Sequence, residues 1–259
     1  MERSSNKDLS YVVGGASGIG LATARLLVAQ GGTVVLVGRN GAKLDVAEKE
    51  LEAIGPGKVE TVVTDLYDAA AVKQLIARVD GEARPIRHLV NAAGYFFPKP
   101  FLEHEESDYD IYLDLNRATF FVTQAVARNM VKNGGGSVVN IGSMWARQAI
   151  KATPSSAYSM AKAGLHSLTQ HLAMELADHR IRVNAVSIGV VLTPIYGAFM
   201  DPKKIEDSLT SGFSAFHPIG RIGRAEDVAN HVVFLLSDKS SWTTGAVHDI
   251  DGGVMAGRN

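Results

Sequence analysis

The chain has 259 residues, with 26 Lys and Arg against 27 Asp and Glu, so its formal net charge is -1. This length suits one α/β domain with a large core, and a balanced charge without a long basic run gives no electrostatic basis for nucleic-acid binding. The sequence contains no cysteine, which excludes disulfides, thiol nucleophiles and thiolate metal sites.

The first ten residues are mostly polar or charged, and glycines interrupt the apolar run that follows them. This pattern predicts neither a signal peptide nor a membrane anchor. No stretch approaches the roughly 18 to 20 apolar residues that a membrane-spanning helix needs. We therefore expect a cytoplasmic protein with no membrane partner.

Short β-branched runs alternate with longer segments of helical periodicity. The predicted strands are residues 11–13, 33–37, 59–64, 88–91, 137–141, 182–187 and 247–250. The predicted helices are residues 20–30, 42–53, 69–79, 108–132, 157–177, 201–211 and 225–236. Because the strands are apolar on both faces, this alternation predicts an α/β fold, with a doubly wound parallel sheet of about seven strands flanked by helices. Residues 1–259 form a single predicted domain, and the irregular stretch 189–219 is predicted to be a lid over a ligand site.

A glycine-rich turn connects the first predicted strand to the first predicted helix. Its informative residues are Gly14, Ser17, Gly18, Ile19 and Gly20. Without Cβ atoms the backbone N–H groups can approach a pyrophosphate, which the positive end of the following helix attracts. The turn therefore predicts a dinucleotide site, with an ordinary glycine turn as the alternative.

The end of the second predicted strand bears on the choice of dinucleotide. Gly38 stands where an acidic residue would normally contact the adenosine ribose, and Arg39 and Asn40 follow it. No carboxylate repels a 2′-phosphate there, and Arg39 can bind that phosphate through forked hydrogen bonds. NADP(H) is therefore the preferred cofactor, and NAD(H) remains possible if Arg39 is a solvated loop residue.

Asp65 and Leu66 stand at the end of the third predicted strand. In this position Asp65 can contact the adenine amino group. Asp is also a favoured N-cap residue, so Asp65 can equally cap the next helix.

Tyr158 and Lys162 lie four positions apart at the start of a long predicted helix. This spacing places both side chains on one helical face, where an ammonium group favours the phenolate form of the tyrosine. Such a tyrosine can exchange a proton with a carbonyl or an alcohol near neutral pH. Alone, the same spacing also occurs in surface pairs by chance.

Three further polar motifs accompany the glycine turn and the Tyr–Lys pair. They are Asn91-Ala92-Ala93-Gly94 after the fourth predicted strand, Asn116 in the long helix that follows, and Ser143 after the fifth predicted strand. In this order and at these strand ends, the motifs resemble the classical short-chain dehydrogenase/reductase family. The resemblance covers essentially the whole chain and implies a Rossmann-like fold.

The resemblance implies a role for each matching residue. Tyr158 would be the general acid/base, and Ser143 would orient and polarise the substrate carbonyl. Lys162 would lower the pKa of the tyrosine and bind the nicotinamide ribose, and Asn116 would hold the helix geometry and a proton-relaying water. Hydride transfer to a carbonyl creates an alkoxide that needs such donors.

The resemblance also implies further cofactor contacts. Asn91, Ala92 and Gly94 would line the cofactor through their backbones, and Ile188 and Thr193 would lie near the nicotinamide carboxamide. Ile188 departs from the family pattern, which has a proline there, and Val13 replaces a usual threonine.

The segment between Ser143 and Tyr158 is a further departure. The two residues are fifteen positions apart, about two more than the family pattern, so residues 144–156 carry an insertion beside the substrate.

Aromatic and sulfur-containing residues around these motifs are candidates for the substrate pocket. They are Phe96, Met144, Trp145 and Tyr196. They indicate a partly apolar small-molecule carbonyl or alcohol substrate, although plain packing also explains them. Arg147 or Lys99 can bind an acidic group or remain solvated charges.

Three expectations concern partners and alternatives. No histidine pair has the HxxxH spacing, so no catalytic metal is expected. The resemblance implies a homo-oligomer, a tetramer or a dimer, formed through the two longest helices. A dinucleotide-binding regulator without catalysis is the rival function, but such a protein has no chemical need for Asn116, Ser143, Tyr158 and Lys162 together.

Overall fold

The structure is a computed structural model that describes residues 9–257. Residues 1–8, which contain most of the predicted polar amino-terminal segment, and residues 258–259 lie outside the described residues. Between them the chain forms one three-layer α/β domain.

Within residues 9–257, nine strands form a seven-stranded sheet and a small two-stranded ladder. They are β1 Leu9–Val13, β2 Thr33–Gly38, β3 Lys58–Val63, β4 Ile86–Asn91, β5 Gly136–Ile141, β6 Ile181–Ile188, β7 Val191–Leu192, β8 Gly223–Arg224 and β9 Val247–Ile250. The large sheet has the order β3-β2-β1-β4-β5-β6-β9, and all its pairings are parallel. Strands β7 and β8 pair separately, also in parallel. The predicted doubly wound, Rossmann-like parallel sheet of seven strands is therefore confirmed.

The described residues form seven α-helices. They are α1 Gly18–Ala29, α2 Gly41–Glu52, α3 Ala69–Asp80, α4 Glu106–Lys132, α5 Ser156–Glu175, α6 Ile205–Phe213 and α7 Ala225–Leu236. Helix α6 packs with a cluster beside the cleft at the carboxyl ends of the strands, and the other six cover the two faces of this sheet. Neighbouring strand residues serve opposite faces: Tyr11 and Val13 pack with α3 and α4, whereas Val12 packs with α1, α2 and α7. Both faces are buried, which explains why the strands read as continuous apolar runs.

Most element boundaries lie within two residues of their predicted positions. The helix predicted at 201–211 is the exception, because α6 begins only at Ile205. The Asp201 side chain accepts a hydrogen bond from the Lys203 N–H at 3.0 Å and caps a separate 3-10 turn, Pro202–Lys204. Pro202 fits the first position of that turn, so the chain winds a short turn before the helix starts.

The strand order reverses between β1 and β4. Strands β2 and β3 follow β1 towards one edge of the sheet, and β4 lies on the other side of β1. The carboxyl ends of parallel strands diverge at such a switch point and leave a crevice where ligands bind. In the described part of the chain, none of the helices is long and apolar enough to cross a membrane.

Candidate active site

A cleft of about 720 Å³ runs along the carboxyl ends of the strands at the switch point. Most of the predicted site residues line it: Gly14, Ser17, Gly18, Ile19, Arg39, Asn40, Asp65, Leu66, Ala92, Gly94, Phe96, Ser143, Trp145, Tyr158, Lys162, Ile188, Thr193 and Tyr196. The lining does not include Gly20, Asn91, Asn116 or Met144. The cleft thus has a glycine-turn end and an aromatic end, with Ser143, Tyr158 and Lys162 between them.

The glycine turn is shaped by close backbone approaches. Gly14 has φ +86°, and a Cβ there would lie 2.5 Å from the Ala93 nitrogen, in the loop after β4. Gly18 has φ +53°. A Cβ on Gly20 would collide with the Gly14 carbonyl oxygen, so Gly20 closes the turn against α1 and does not line the cleft. The result is a side-chain-free cradle at the amino end of α1, which fits a pyrophosphate.

Two cations lie at the far side of this cradle. Arg39 lines the cleft, and so does Lys43, which the sequence analysis missed. The Asn40 side chain accepts the Lys43 N–H at 3.0 Å and caps α2, which fixes both residues at the amino end of one helix. The sequence signal for Lys43 was its position four residues after Arg39, at the predicted start of the second helix. The pair fits a phosphate group.

Asp65 lies beside these cations at the cleft. Its carboxylate accepts the Tyr67 N–H at 3.0 Å, which holds the loop after β3 in a tight turn. The N-cap of α3 is Asp68, which accepts the Ala70 N–H at 2.8 Å. Asp65 therefore does not cap the next helix, which was one of its two predicted roles.

Tyr158 and Ser143 form the polar centre of the cleft. The Tyr158 side chain is buried, and the Ser143 side chain lies near its hydroxyl group. Burial raises the pKa of Tyr158 to about 12, and the neighbouring Ser143 hydroxyl opposes this rise. Ser143 Oγ also accepts the Trp145 N–H at 3.2 Å, which directs the serine hydroxyl proton away from that amide. The phenol is therefore protonated at neutral pH.

Lys162 lies one helical turn beyond Tyr158 on α5. Its Nζ donates to the Ile141 carbonyl at 2.7 Å and lies 5.8 Å from the centroid of the Tyr158 ring. Burial lowers the pKa of Lys162 to about 8. The amine is still mainly charged at pH 7, close enough to stabilise a phenolate once Tyr158 gives up its proton.

Asn116 contacts the helix that carries Tyr158 and Lys162. Its Nδ2 donates to the Ala161 carbonyl at 2.9 Å, which ties α4 to α5 one residue before Lys162. The side chain thus holds the helix geometry without reaching the cleft.

Asn91 also lies beneath the cleft. Its Nδ2 donates to Asn140 Oδ1 at 2.8 Å and to Thr123 Oγ1 at 3.0 Å, and Asn140 in turn donates to Thr169 Oγ1 at 2.9 Å. This network joins β4 and β5 to α4 and α5. The Asn91 side chain is therefore used in the core and not in the cofactor cradle.

The aromatic end of the cleft is built from distant segments. Phe96 stands against Tyr158 with ring centroids 4.8 Å apart, and Trp145 and Tyr196 complete the lining. Met144 is only 1% exposed and packs in the same apolar cluster behind this surface. The predicted stretch 189–219 also contributes side chains, including Ile195 and Ile205, which the sequence analysis did not single out.

Comparisons with known proteins give the same picture. A family model described as Enoyl-(Acyl carrier protein) reductase matches residues 14–255. L-xylulose reductase from Bos taurus is 40% identical over 250 residues, covering 95% of this chain and 96% of that protein. The 3-oxoacyl-(acyl-carrier-protein) reductase of Thermotoga maritima is 37% identical over 246 residues, covering 94% and 96%.

A solved structure extends the comparison to the fold. The L-sorbose reductase from Gluconobacter frateurii, complexed with NADPH and L-sorbose, superposes with a TM-score of 0.87 at 26% identity and covers 96% of this chain and 97% of that one. The similarities span nearly the whole length of the chain. The chain therefore belongs to the short-chain dehydrogenase/reductase family of NAD(P)-dependent oxidoreductases.

Proposed function

We propose that this protein transfers a hydride between NADP(H) and a small ketone or secondary alcohol, with Tyr158 as the general acid/base. The observation that carries the proposal is the buried Tyr158 phenol beside Ser143, in a cleft that continues into a glycine cradle. Two hydroxyl groups converge there on the place where a carbonyl oxygen can lie. Such a pair stabilises an alkoxide and supplies its proton.

Each residue of the cleft has a separate role in the proposed reaction. The glycine turn and the amino end of α1 hold the pyrophosphate, and a bound NADPH supplies the hydride. Ser143 donates a hydrogen bond to the substrate oxygen, and Tyr158 gives it a proton. Lys162 then stabilises the phenolate, and Asn116 keeps the lysine in place through its bond to the preceding residue. A water held by Asn116 and relaying protons to Lys162 stays a prediction.

The preference for NADP(H) rests on Arg39 and Lys43, which present two positive charges at the adenosine end. The NADPH complex of L-sorbose reductase supports this choice by analogy. Arg39→Ala and Lys43→Ala should each raise the KM for NADPH roughly tenfold, and the KM for NADH should change little. Lys49→Ala removes the same charge from an exposed position of α2 outside the cleft and is the matched control.

An unchanged NADPH preference in Arg39→Ala and Lys43→Ala would contradict this cofactor assignment and favour the NAD(H)-linked alternative. Tight NADPH binding with no turnover of any carbonyl compound would favour a regulator. The stretch 189–219 is proposed to act as a lid, since it supplies one wall of the cleft.

We also propose that two copies or more associate through α4 and α5. Phe120 and Phe121 are 43% and 41% exposed on α4, and Met160 is 47% exposed on α5. Exposed apolar side chains on two long neighbouring helices suit an interface between subunits. Sedimentation of the purified protein should give a dimer or a tetramer, and a monomer would contradict the proposal. A cytoplasmic location remains a prediction.

A further inference from the structure

Resting on the proposed function, we infer that the preferred substrate is an apolar ketone that carries a flat ring beside its carbonyl group, or the corresponding secondary alcohol, and not an open-chain polyol. The inference concerns the aromatic end of the cleft, beyond Ser143 and Tyr158. It follows from the ring surface found there and from the way the nearby polar groups are already used.

The walls of this end are aromatic rings in mutual edge-to-face contact. Phe96 lies 4.8 Å from the Tyr158 ring, 6.3 Å from Tyr196 and 5.8 Å from Phe199, with interplanar angles of 68°, 79° and 71°. Phe96 and Trp145 are each 7% exposed. A flat apolar ring gains both burial and favourable ring contacts on such a surface.

Few hydroxyl groups near this surface are free to bind a substrate. The Tyr112 hydroxyl accepts the Phe97 N–H at 3.2 Å and lies 3.3 Å from the Phe97 carbonyl oxygen, so it is already bound to the backbone. Apart from the pair Ser143 and Tyr158, the side-chain hydroxyls in this part of the lining are those of Tyr95 and Tyr196. Two phenol hydroxyls cannot satisfy the several hydroxyl groups of a sugar.

The cations that flank the aromatic end are also paired. Arg147, in the insertion after Ser143, donates to Asp249 on β9, and Lys99 pairs with Asp108 at 2.5 Å. Neither residue lines the cleft. A substrate carboxylate or phosphate would therefore meet neither of these charges, whereas the adenosine end holds Arg39 and Lys43.

Burying an unpaired hydroxyl opposes binding, so a polyol loses roughly tenfold or more for each hydroxyl that finds no partner. A ring-bearing ketone has one polar atom, and Ser143 and Tyr158 serve it. The substrate thus distinguishes this protein from its sugar-reducing relatives by chemistry and not by fold.

The test is NADPH oxidation by the full-length protein with 1-phenyl-1-propanone, L-xylulose and L-sorbose as probes. The expected kcat/KM for the aryl ketone exceeds that for either sugar by at least about a hundredfold. Phe96→Leu keeps the site apolar but removes a ring, and it should lower the aryl-ketone kcat/KM roughly tenfold. Phe101→Leu makes the same change at a 75% exposed position outside the cleft and should have no effect.

Binding of NADPH, measured by fluorescence in every variant, distinguishes the two levels of the proposal. Faster reduction of a sugar than of the aryl ketone would overturn the substrate inference and leave the oxidoreductase assignment standing. No reduction of any probe together with weak NADPH binding would overturn the proposed function itself. Equal losses in Phe96→Leu and Phe101→Leu would also overturn the inference, because they would indicate a general loss of structure.

Discussion

The two ends of the cleft are constructed in different ways. The cofactor end is made by backbone at strand ends, where Gly14 touches the loop after β4 and the amino end of α1 faces the cradle. The substrate end is made by side chains such as Phe96, Trp145 and Tyr196, which come from three loops far apart in sequence. One end thus depends on local backbone geometry and the other on long-range packing.

This difference implies that the two ends can be altered separately. Changes in the cradle should act on every cofactor and leave the choice of ketone unchanged, because the ring surface is built from other segments. Changes in the ring surface should alter substrate choice and leave NADPH binding unchanged. Between the two ends lies Tyr158, whose loss should act mainly on turnover, because its proton is transferred only during the reaction.

The largest effect is expected at this centre. Tyr158→Phe removes the proton donor and should lower kcat by about a thousandfold, with NADPH affinity nearly unchanged. Tyr112→Phe is the matched control, because this buried tyrosine lies 5.9 Å from the Tyr158 ring and its hydroxyl serves the backbone. Steady-state rates and NADPH titrations measure both. Similar losses in the two variants would contradict an acid/base role for Tyr158.

A smaller effect is expected in the cradle. Gly14→Ala places a Cβ 2.5 Å from the Ala93 nitrogen at φ +86°, so the Kd for NADPH should rise roughly ten- to a hundredfold. The ratio of rates for different ketones should stay the same. Gly134→Ala, at φ +85° with open space around the position and outside the cleft, is the control and should not weaken NADPH binding. A changed ketone preference in Gly14→Ala would contradict the separation of the two ends.

Gly142, beside Ser143, tests the packing beneath the centre. A Cβ there would collide with Nε2 of His166 on α5, so Gly142→Ala should lower the free energy of unfolding by about 1–3 kcal/mol. His166→Ala opens this space, and the double variant should recover part of the loss. Denaturant unfolding of the four proteins gives the coupling free energy. Simple additivity of the two single losses would contradict a direct contact.

The smallest effect concerns acid stability. Burial lowers the pKa of His166 to about 4, with Arg147 and Lys162 acting in the same direction. Burial likewise lowers the pKa of His88 to about 4. An unfolded histidine has a pKa near 6.5, so below that value the unfolded chain binds protons that the folded chain does not. The free energy of unfolding should therefore fall as the pH drops from about 6.5 towards 4. Above about pH 7 these histidines are neutral in both states and cause no pH dependence.

Each such histidine adds at most about 1.4 kcal/mol per pH unit to this slope. His166→Gln should reduce the pH dependence of the unfolding free energy by the contribution of one histidine, as measured by urea unfolding between pH 7 and pH 4.5. An unchanged slope would show that His166 titrates alike in both states.

The sequence predicted the features that rest on local rules. The alternation of apolar runs and helical periods gave the order of strands and helices, and the Gly14–Gly20 turn and the Tyr158–Lys162 spacing are short-range patterns. Features set by long-range contacts escaped it. That Asn91 is used in the core depends on Asn140, and the paired state of Arg147 depends on Asp249, one hundred and two positions away. Sequence spacing carries no signal for such contacts.

The burial of Tyr158 and Lys162 was also beyond sequence reasoning. The spacing predicted that Lys162 lowers the pKa of Tyr158, whereas burial is the dominant influence and raises it to about 12. Burial depends on Phe96 and on the segment that includes Tyr196, and neither is adjacent to Tyr158 in the chain.

The proposed hydride transfer is tested most directly by following the hydride itself. The protein is incubated with NADPH that carries deuterium at the transferable C4 position and with 1-phenyl-1-propanone, and the alcohol is analysed by mass spectrometry. We expect an alcohol with one deuterium on the carbinol carbon, and almost none of it from Tyr158→Phe. Tight binding of NADPH with no deuterated alcohol from this ketone, L-xylulose or L-sorbose would contradict the proposed hydride transfer.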